Sequence, residues 1–342
     1  MSTVISLLLM ADGWRANHID EYRLSMNNIL EHIGIMGILP VAIVEDENKA
    51  VPLAQTLSEN GLPVIEVTLR TQTAVHVVER IVKFFPDMLV GAGTVLTVAD
   101  AKSVIDAGAR FIVSPGLSVK VVEYCIGKSI PIIPGVLTPT EIQQALEYGL
   151  EVVKFFPAEA IGGLSYLKAV AAPFKNLKFI PTGGIEQSTL LSYLQFPKVI
   201  ACGGSWMVHP EMLKTGQFEK IASCTRQAVA SVLGFELKHI GLYTRSTADA
   251  YKATAQLAKM IQYSVRETED SLFSENYVEE LQHISSDDFI ALGTNFIERG
   301  AAHLAQKGIV VKPETKQFQN GQLVAVDLDL DINGFALRLI QV

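Results

Sequence analysis

A lysine inside a run of apolar residues is the feature of the sequence that most directly indicates chemistry. Lys154 stands between Val153 and Phe155. This pattern predicts a short buried strand, in which an amine loses most of its hydration and its neutral form is favoured. Because a neutral amine attacks carbonyl carbons, Lys154 is a candidate for Schiff-base formation. The alternative is a structural lysine that reaches solvent or pairs with a carboxylate.

A second apolar strand, predicted over residues 64–69, carries Glu66 and leads into Arg70. A lysine imine of a 2-oxo acid needs a general acid/base for its proton transfers and a cation that holds the carboxylate. Glu66 and Arg70 are side chains of those types. The alternative is a structural ion network of Lys154, Glu66 and Arg70, which perturbs titration in the same way.

The order of the predicted elements supplies an architecture for these side chains. Short apolar strands alternate with helical segments, and eight such units within about 200 residues favour a closed (β/α)8 TIM barrel in the α/β class. A doubly wound open sheet is the alternative, but it usually carries an early glycine fingerprint, and none follows Val44. The predicted strands are 39–44, 64–69, 88–91, 111–114, 130–133, 152–156, 178–181 and 199–202, and predicted helices include 74–84, 98–107, 139–148 and 164–172.

In such a barrel, the active site lies at the carboxyl ends of the strands. Glycine pairs follow the seventh and eighth predicted strands, where backbone amides can form a phosphate cradle. Turns that require positive φ would explain the same glycines. The residues in these loops are Thr94 and Pro115 after the third and fourth strands, Thr182, Gly183 and Gly184 after the seventh, and Gly203, Gly204 and Ser205 after the eighth.

Composition narrows the class of protein. The 342 residues are 49% hydrophobic with a mean hydropathy of +0.29, which suits a fold with many buried strands. The net charge is -8 and no Lys/Arg cluster stands out, which argues against nucleic-acid binding. No run is long enough for a transmembrane helix, so we expect no membrane association. Cys125, Cys202 and Cys224 lack metal spacing, and we expect reduced cysteines of a cytoplasmic protein.

Three segments are predicted along the chain. Residues 1–25 do not match the patterning that follows and are predicted to be a disordered extension or the product of an early start codon, since Met26 begins a well-patterned segment. Residues 26–233 form the barrel. Residues 234–342 form a smaller α+β domain, in which a strand, a helix and further strands occur twice in tandem, as expected for an internal duplication. The first helix of that domain is predicted over 248–262.

Six ordered motifs of the barrel region resemble the 2-keto-3-deoxy-6-phosphogluconate (KDPG) and 4-hydroxy-2-oxoglutarate (KHG) aldolase family. The resemblance implies a cytoplasmic class I lyase of the Entner–Doudoroff pathway, without a metal or cofactor, that is a homotrimer through its barrel. Its substrate would be a small 2-oxo acid phosphate. The motifs are Glu66-Val67-Thr68-Leu69-Arg70-Thr71, Gly91-Ala92-Gly93-Thr94-Val95, Ser114-Pro115-Gly116-Leu117, Lys154-Phe155-Phe156-Pro157-Ala158-Glu159, Pro181-Thr182-Gly183-Gly184-Ile185 and Gly203-Gly204-Ser205-Trp206.

The resemblance also implies a role for each residue. Lys154 would form the imine with pyruvate, and Glu66 would act as general acid/base through a water. Arg70 and the backbone near Thr94 and Pro115 would hold the pyruvate carboxylate. The remaining residues are Thr182, which would contact substrate near the imine, and Gly183, Gly184, Gly204 and Ser205, whose amides would hold the distal phosphate.

The implied reaction is cleavage of KDPG to pyruvate and glyceraldehyde 3-phosphate, with cleavage of KHG to pyruvate and glyoxylate as a second activity. An aldolase for the 6-phosphogalactonate epimer is one alternative. A metabolite-sensing protein that uses its C-terminal domain is the alternative from another class. Of the other polar residues, Glu159 is predicted to be a helix-start carboxylate and His76 to lie on a solvated face.

The C-terminal region resembles, more weakly, a glyoxalase-like module of the vicinal oxygen chelate superfamily, built from two βαβββ-type repeats. His239 would be its first metal ligand. Phe289 and Arg338 stand where the family has the second-repeat opening ligand and the closing Glu, and Glu279 and Glu280 remain. Since a metal centre needs three or four protein ligands, we expect none here.

Overall fold

The computed structural model describes residues 16–243, 248–249, 251–252, 254–256, 265–267, 271–274, 278–281 and 288–342. The chain divides into two compact units, Met1–Ser231 and Val232–Val342. Among the described helices, none is long and apolar enough to cross a membrane.

Eight parallel strands form the sheet of the first unit, in the order β7-β6-β5-β4-β3-β2-β1-β8. Parallel bridges from Phe179 to Val199 and from Thr182 to Gly203 join β7 to the segment around β8 and bring the sheet to closure. The predicted (β/α)8 barrel is confirmed. Its strands are β1 Ile38–Ala42, β2 Val64–Thr68, β3 Leu89–Gly93, β4 Phe111–Ser114, β5 Ile132–Val136, β6 Val152–Phe155, β7 Lys178–Pro181 and β8 Cys202–Gly204.

The helices between the strands follow from their apolar spacing and their caps. In α3, the buried residues Ala74, Val77, Val78 and Ile81 recur at helical spacing and face the sheet. Capping boxes begin α4 and α6, where Thr97 and Thr138 each accept from the backbone N–H three residues on. The helices are α1 Ala16–Met36, α2 Ala50–Glu59, α3 Ala74–Phe84, α4 Val98–Asp106, α5 Val119–Gly127, α6 Pro139–Glu147, α7 Gly163–Ala171, α8 Gln187–Leu194, α9 Pro210–Lys214 and α10 Phe218–Leu233.

Two predicted strands are displaced along the chain. The fifth was predicted at 130–133 but is Ile132–Val136, and the eighth was predicted at 199–202 but is Cys202–Gly204. Both observed strands contain glycine, at Gly135 in β5 and at Gly203 and Gly204 in β8. Leu39 and Pro40 of β1 pair with Gly203 and Gly204. Backbone hydrogen bonds thus hold this strand, whose glycines carry no apolar side chains from which the sequence could have predicted it.

The first helix begins before the predicted boundary at Met26. It starts at Ala16, so residues 16–25 of the expected extension are helical. Residues 1–15 lie outside the described part of the chain. Ile33 of this helix is fully buried, and Gly37 at its end accepts a hydrogen bond from Cys202 at the start of β8.

The second unit has a mixed sheet in the order β10-β11-β12-β9-β13-β16-β15-β14. β9 pairs in parallel with β12 and β13 in parallel with β16, while β9 and β13 are antiparallel to each other. The strand order is therefore that of two similar halves joined at β9 and β13. The elements are β9 Glu236–Tyr243, β10 Val265–Glu267, β11 Ser271–Ser274, β12 Val278–Leu281, β13 Phe289–Thr294, α11 Ile297–Gln306, β14 Gln317–Gln319, β15 Gln322–Ile332 and β16 Phe335–Gln341.

One face of this sheet packs against α11. Ile297 of the helix forms a buried cluster with Val326, Leu328 and Leu339 of β15 and β16. The helix predicted at 248–262 lies partly outside the described residues, and residues 248–249, 251–252 and 254–256 of it are helical.

A half-buried histidine on α1 should make the stability of the barrel depend on pH. Within the described residues, Nε2 of His32 is buried without a hydrogen-bond partner. Burial, and secondarily the charge of Arg110, lower the pKa of His32 below its ordinary value of 6.5. The unfolded chain therefore binds this proton more readily, so stability is lost as pH falls below about 6.5 towards the lower pKa of the folded state.

We expect His32→Gln to flatten that dependence. Urea midpoints measured between about pH 7.5 and about pH 5.5 should fall less for the variant than for the wild type. His76, whose side chain is 66% exposed, provides the control, and His76→Gln should keep the wild-type slope. Equal slopes for wild type and His32→Gln would contradict the prediction.

Candidate active site

Two buried charged side chains meet inside the barrel. Nζ of Lys154 on β6 lies 3.3 Å from Oε1 of Glu66 on β2 and donates a hydrogen bond to it. Lys154 is 6% exposed and Glu66 is 1% exposed. Because three strands separate β2 from β6 in the sheet, the contact crosses the barrel interior. The structure thus brings together the two residues that the sequence proposed for imine and proton chemistry.

The surroundings of this pair are shielded from water, so an unpaired charge there would destabilise the protein. Removing one partner of a buried ion pair typically destabilises a protein by about 3–5 kcal/mol, because the other charge is left unpaired. The ring of Phe156 stands next to the amine, with Nζ of Lys154 5.3 Å from the ring centroid. Sequence reasoning did not select Phe156. The feature of the sequence that could have indicated Phe156 is its position as an aromatic residue directly after the strand that carries the lysine.

The carboxylate of Glu66 occupies space that only a glycine on β3 leaves open. A Cβ placed on Gly93 would lie 2.0 Å from Oε1 of Glu66 and 2.6 Å from its Cδ. Gly93 pairs in register with Thr68, two residues beyond Glu66 on the neighbouring strand. The position of the carboxylate therefore depends on the absence of a side chain at residue 93.

Arg70 lies at the exposed mouth of the barrel. Its Nε donates to Oγ1 of Thr94 at 3.4 Å. Thr94 has φ 57, a conformation rare for a β-branched residue and common at functional sites. In the described structure, Glu66 pairs with Lys154, whereas Arg70 donates to Thr94. Lys154, Glu66 and Arg70 therefore do not form the single ion network that was the alternative.

The loops after β7 and β8 lie side by side. Thr182 forms a bridge with Gly203, and Nε1 of Trp206 donates to Oε1 of Gln187 at 3.3 Å. Gly183 and Gly184 have φ values of 100 and 81, and Gly184 and Ser205 are exposed. Gly183, Gly184 and Ser205, predicted for phosphate binding, therefore lie in neighbouring loops at one end of the barrel, together with Thr182, which was predicted to contact the substrate near the imine. Gly204, also predicted for phosphate binding, is the last residue of β8.

Pro115 directly follows β4 at that same end of the barrel. Oγ of Ser114 donates to the carbonyl of Gly116 at 2.8 Å and closes the turn around Pro115. Ser114 pairs with Pro134 of β5, the strand that also pairs with β6 beside Lys154. The turn is therefore anchored to the strand next to the lysine.

In the second unit, the residues at the expected metal positions do not fit a metal ion. The guanidinium of Arg338 lies 4.0 Å from the ring centroid of Phe289, and its Nε donates to Oδ1 of Asp327 at 2.6 Å. His239 meets the edge of the same ring with centroids 5.9 Å apart. Among the described residues, no group of three or more His, Cys, Asp and Glu is arranged to hold a metal. The side chains of Glu279 and Glu280 lie outside the described set.

The fold and the buried pair define a (β/α)8-barrel protein with a lysine-centred site. Residues 29–224, more than half of the chain, match the family model described as Aldolase: KDPG and KHG aldolase. The chain belongs to the KDPG and KHG aldolase family.

Relatives of this chain are named as aldolases of this family. This chain is 44% identical over 207 residues to a 2-dehydro-3-deoxy-phosphogluconate aldolase of Treponema pallidum, and the alignment covers 60% of this chain and 99% of the relative. It is 42% identical over 192 residues to the KHG/KDPG aldolase of Escherichia coli K12, covering 56% and 90% of the two chains. Among solved structures, it resembles the KDPG aldolase of Legionella pneumophila with pyruvate captured as a covalent carbinolamine, at TM-score 0.56 and 39% identity over 57% of this chain and 95% of that one.

A methyl group at residue 93 should displace the Glu66 carboxylate without unfolding the barrel. We expect Gly93→Ala to slow deuterium exchange at C3 of pyruvate by roughly 10²–10⁴-fold, the usual contribution of one general acid/base. Exchange is followed by proton NMR in heavy water. Gly34→Ala is the matched control, since its Cβ would meet only Cβ of Ile200 at 3.9 Å. Wild-type exchange in a folded Gly93→Ala protein would refute the dependence on Glu66.

Proposed function

We propose that this protein is a class I aldolase that cleaves KDPG to pyruvate and glyceraldehyde 3-phosphate, and also cleaves KHG to pyruvate and glyoxylate. The observation that carries the proposal is the contact between Nζ of Lys154 and Oε1 of Glu66 inside the barrel. The names of the relatives support the same reaction.

Lys154 is the proposed nucleophile. Its amine adds to the C2 ketone of the substrate, and loss of water from the carbinolamine gives a cationic imine. The bond between C3 and C4 then breaks as the C4 hydroxyl loses its proton, and the imine accepts the electron pair to become an enamine. Protonation at C3 and hydrolysis release pyruvate and restore the amine.

Glu66 is the proposed general acid/base, acting through a water for the carbinolamine and enamine steps. Its contact with Nζ of Lys154 at 3.3 Å supports this role, because the imine carbon would be bonded to that nitrogen and burial strengthens electrostatic interactions. The ring of Phe156, next to the amine, is proposed to limit water there and so to protect the imine from hydrolysis before cleavage.

The two ends of the substrate are held by different elements. Arg70, with Thr94 and the backbone at Pro115, is proposed to bind the pyruvate carboxylate, since a guanidinium matches a carboxylate in geometry. Thr182 is proposed to contact the substrate near the imine. The amides of Gly183, Gly184, Gly204 and Ser205 are proposed to bind the distal phosphate, which the KHG substrate lacks.

The names of the relatives support the first of the alternatives for the substrate. Relatives at 39–44% identity are named 2-dehydro-3-deoxy-phosphogluconate aldolase or KHG/KDPG aldolase. They equally favour an enzyme over a metabolite-sensing protein. We propose that the covalent imine on Lys154 takes the place of a cofactor.

For the second unit, we propose a glyoxalase-like module of two βαβββ-type repeats that takes no part in the chemistry. The parallel pairing of β9 with β12 and of β13 with β16 supports the repeats. The ion pair of Arg338 with Asp327 supports a module without a metal centre. A homotrimer assembled through the barrel remains our proposal for the quaternary state.

Lys154→Met should abolish both cleavage and covalent trapping. The wild type incubated with pyruvate and borohydride should gain a reduced adduct on Lys154, which peptide mass spectrometry locates. The variant should remain folded by circular dichroism, with a lower melting temperature because Glu66 loses its partner. Lys178→Met is the control, since Lys178 begins the neighbouring strand and bonds the carbonyl of Pro197 at 2.9 Å. Trapping of Lys154→Met at the wild-type rate would exclude Lys154 as the nucleophile.

A chain that ends at Leu233 should keep the chemistry. The family model ends at residue 224, and the alignment with the Treponema pallidum relative covers 99% of that protein but 60% of this chain, which supports a barrel that acts without the second unit. We therefore expect wild-type pyruvate release per folded barrel, measured by a coupled dehydrogenase assay. Light scattering compares the mass of the shortened and full chains and tests the trimer. A folded, inactive shortened chain would show that the second unit contributes to the active site.

A further inference from the structure

The loops after β6 and β7 are joined by two backbone hydrogen bonds. The N–H of Ala158 donates to the carbonyl of Thr182 at 2.8 Å, and the N–H of Glu159 donates to the carbonyl of Gly183 at 3.0 Å. The second bond ends on the first residue of the glycine pair. The position of Gly183 and Gly184 therefore depends on the segment around Glu159.

The side chain of Glu159 packs directly on the same glycine pair. A Cβ placed on Gly184 would lie 2.6 Å from Cβ and 2.9 Å from Cγ of Glu159, so the methylene groups of the glutamate lie against the backbone of Gly184. Glycines at positive φ have wide conformational freedom, and ordering them costs more entropy than ordering any other residue. A contact of this kind restrains that freedom.

Tyr193 holds the carboxylate end of Glu159. Its hydroxyl donates to Oε1 of Glu159, and its ring is 1% exposed on α8, the helix that follows the glycine pair. Burial, followed by the bond to Glu159, raises the pKa of the Tyr193 phenol, so the hydroxyl remains a donor at neutral pH. A Cβ on Gly163 would lie 3.1 Å from Oε1 of Glu159 and 3.2 Å from the hydroxyl oxygen, so a side chain there would crowd the pair.

We propose that Glu159 and Tyr193 are positioning residues that set the amides of Gly183 and Gly184 for the distal phosphate of the substrate. The inference rests on the proposed function, in which those amides bind phosphate. A loop that is already ordered binds its ligand with a smaller loss of entropy. The carboxylate acts as an acceptor for Tyr193 and not as a charge for the substrate, since its charge would oppose a phosphate. Glutamine can replace it in that role.

The experiment compares two substrates that differ in the phosphate. KM and kcat are measured with KDPG and with the unphosphorylated KHG. In Tyr193→Phe and Glu159→Ala, KM for KDPG should rise roughly tenfold, the effect of losing one hydrogen bond to a charged group, while kcat/KM for KHG changes less than roughly twofold. Glu159→Gln should keep KM for KDPG within roughly threefold of the wild type, because its amide oxygen accepts the same bond.

Tyr148→Phe is the matched control. The hydroxyl of Tyr148 donates to Oε1 of Glu123 at 3.2 Å in the same barrel, but this pair lies before β6, at the end away from the glycine loops. The control should leave both substrates unaffected. Melting temperatures show whether each variant remains folded.

The outcomes separate the inference from the proposed function. An unchanged KM for KDPG in Tyr193→Phe and Glu159→Ala overturns the inference, and so does an equal loss with both substrates, which indicates general support of the fold. Failure of Glu159→Gln to restore KM overturns the assignment of the carboxylate as an acceptor. A wild type that cleaves neither substrate refutes the proposed function itself, whatever the variants do.

Discussion

The contact between Lys154 and Glu66 across the barrel is the interaction on which the rest of the structure depends. Each ion loses several kcal/mol of hydration when it is buried, so each needs the other. The two strands that carry them are separated by three others, and they meet only because the sheet curves into a barrel. Gly93 leaves the space for the carboxylate, and the ring of Phe156 lies next to the amine. A change to the curvature or to either neighbour would leave a buried charge without its partner.

In the proposed site, the strands and the loops carry groups with different roles. The proposed chemical groups, Lys154 and Glu66, are carried by strands, which hold side chains more precisely than loops do. The proposed binding groups for phosphate are backbone amides on glycine-rich loops, which are flexible by themselves. Backbone hydrogen bonds from Ala158 and Glu159, and the packing of Glu159 against Gly184, restrain these loops, and Tyr193 holds the carboxylate of Glu159. In the proposed function, the recognition of the phosphate is thus separable from the chemistry at the amine.

The second unit is held at its centre by contacts among side chains of neighbouring strands. Its two similar halves join at β9 and β13, where His239, Phe289 and Arg338 lie together. The cation of Arg338 is satisfied by Asp327 and by the face of Phe289, so this region is held by an ion pair and an aromatic contact. These contacts stabilise the fold of the second unit.

The sequence by itself determined the alternation of strands and helices, because fully buried parallel strands are continuous apolar runs and the helices between them have a different period. It also marked Lys154 and Glu66, since a charge inside such a run has few structural explanations. It misplaced β5 and β8, where backbone pairing continues through glycine. Only the tertiary structure decided which charges meet. Arg70 bonds Thr94 and not Glu66, and Tyr193 reaches Glu159. These contacts depend on the closure of the barrel and on the direction of each side chain, and neither is encoded in local spacing.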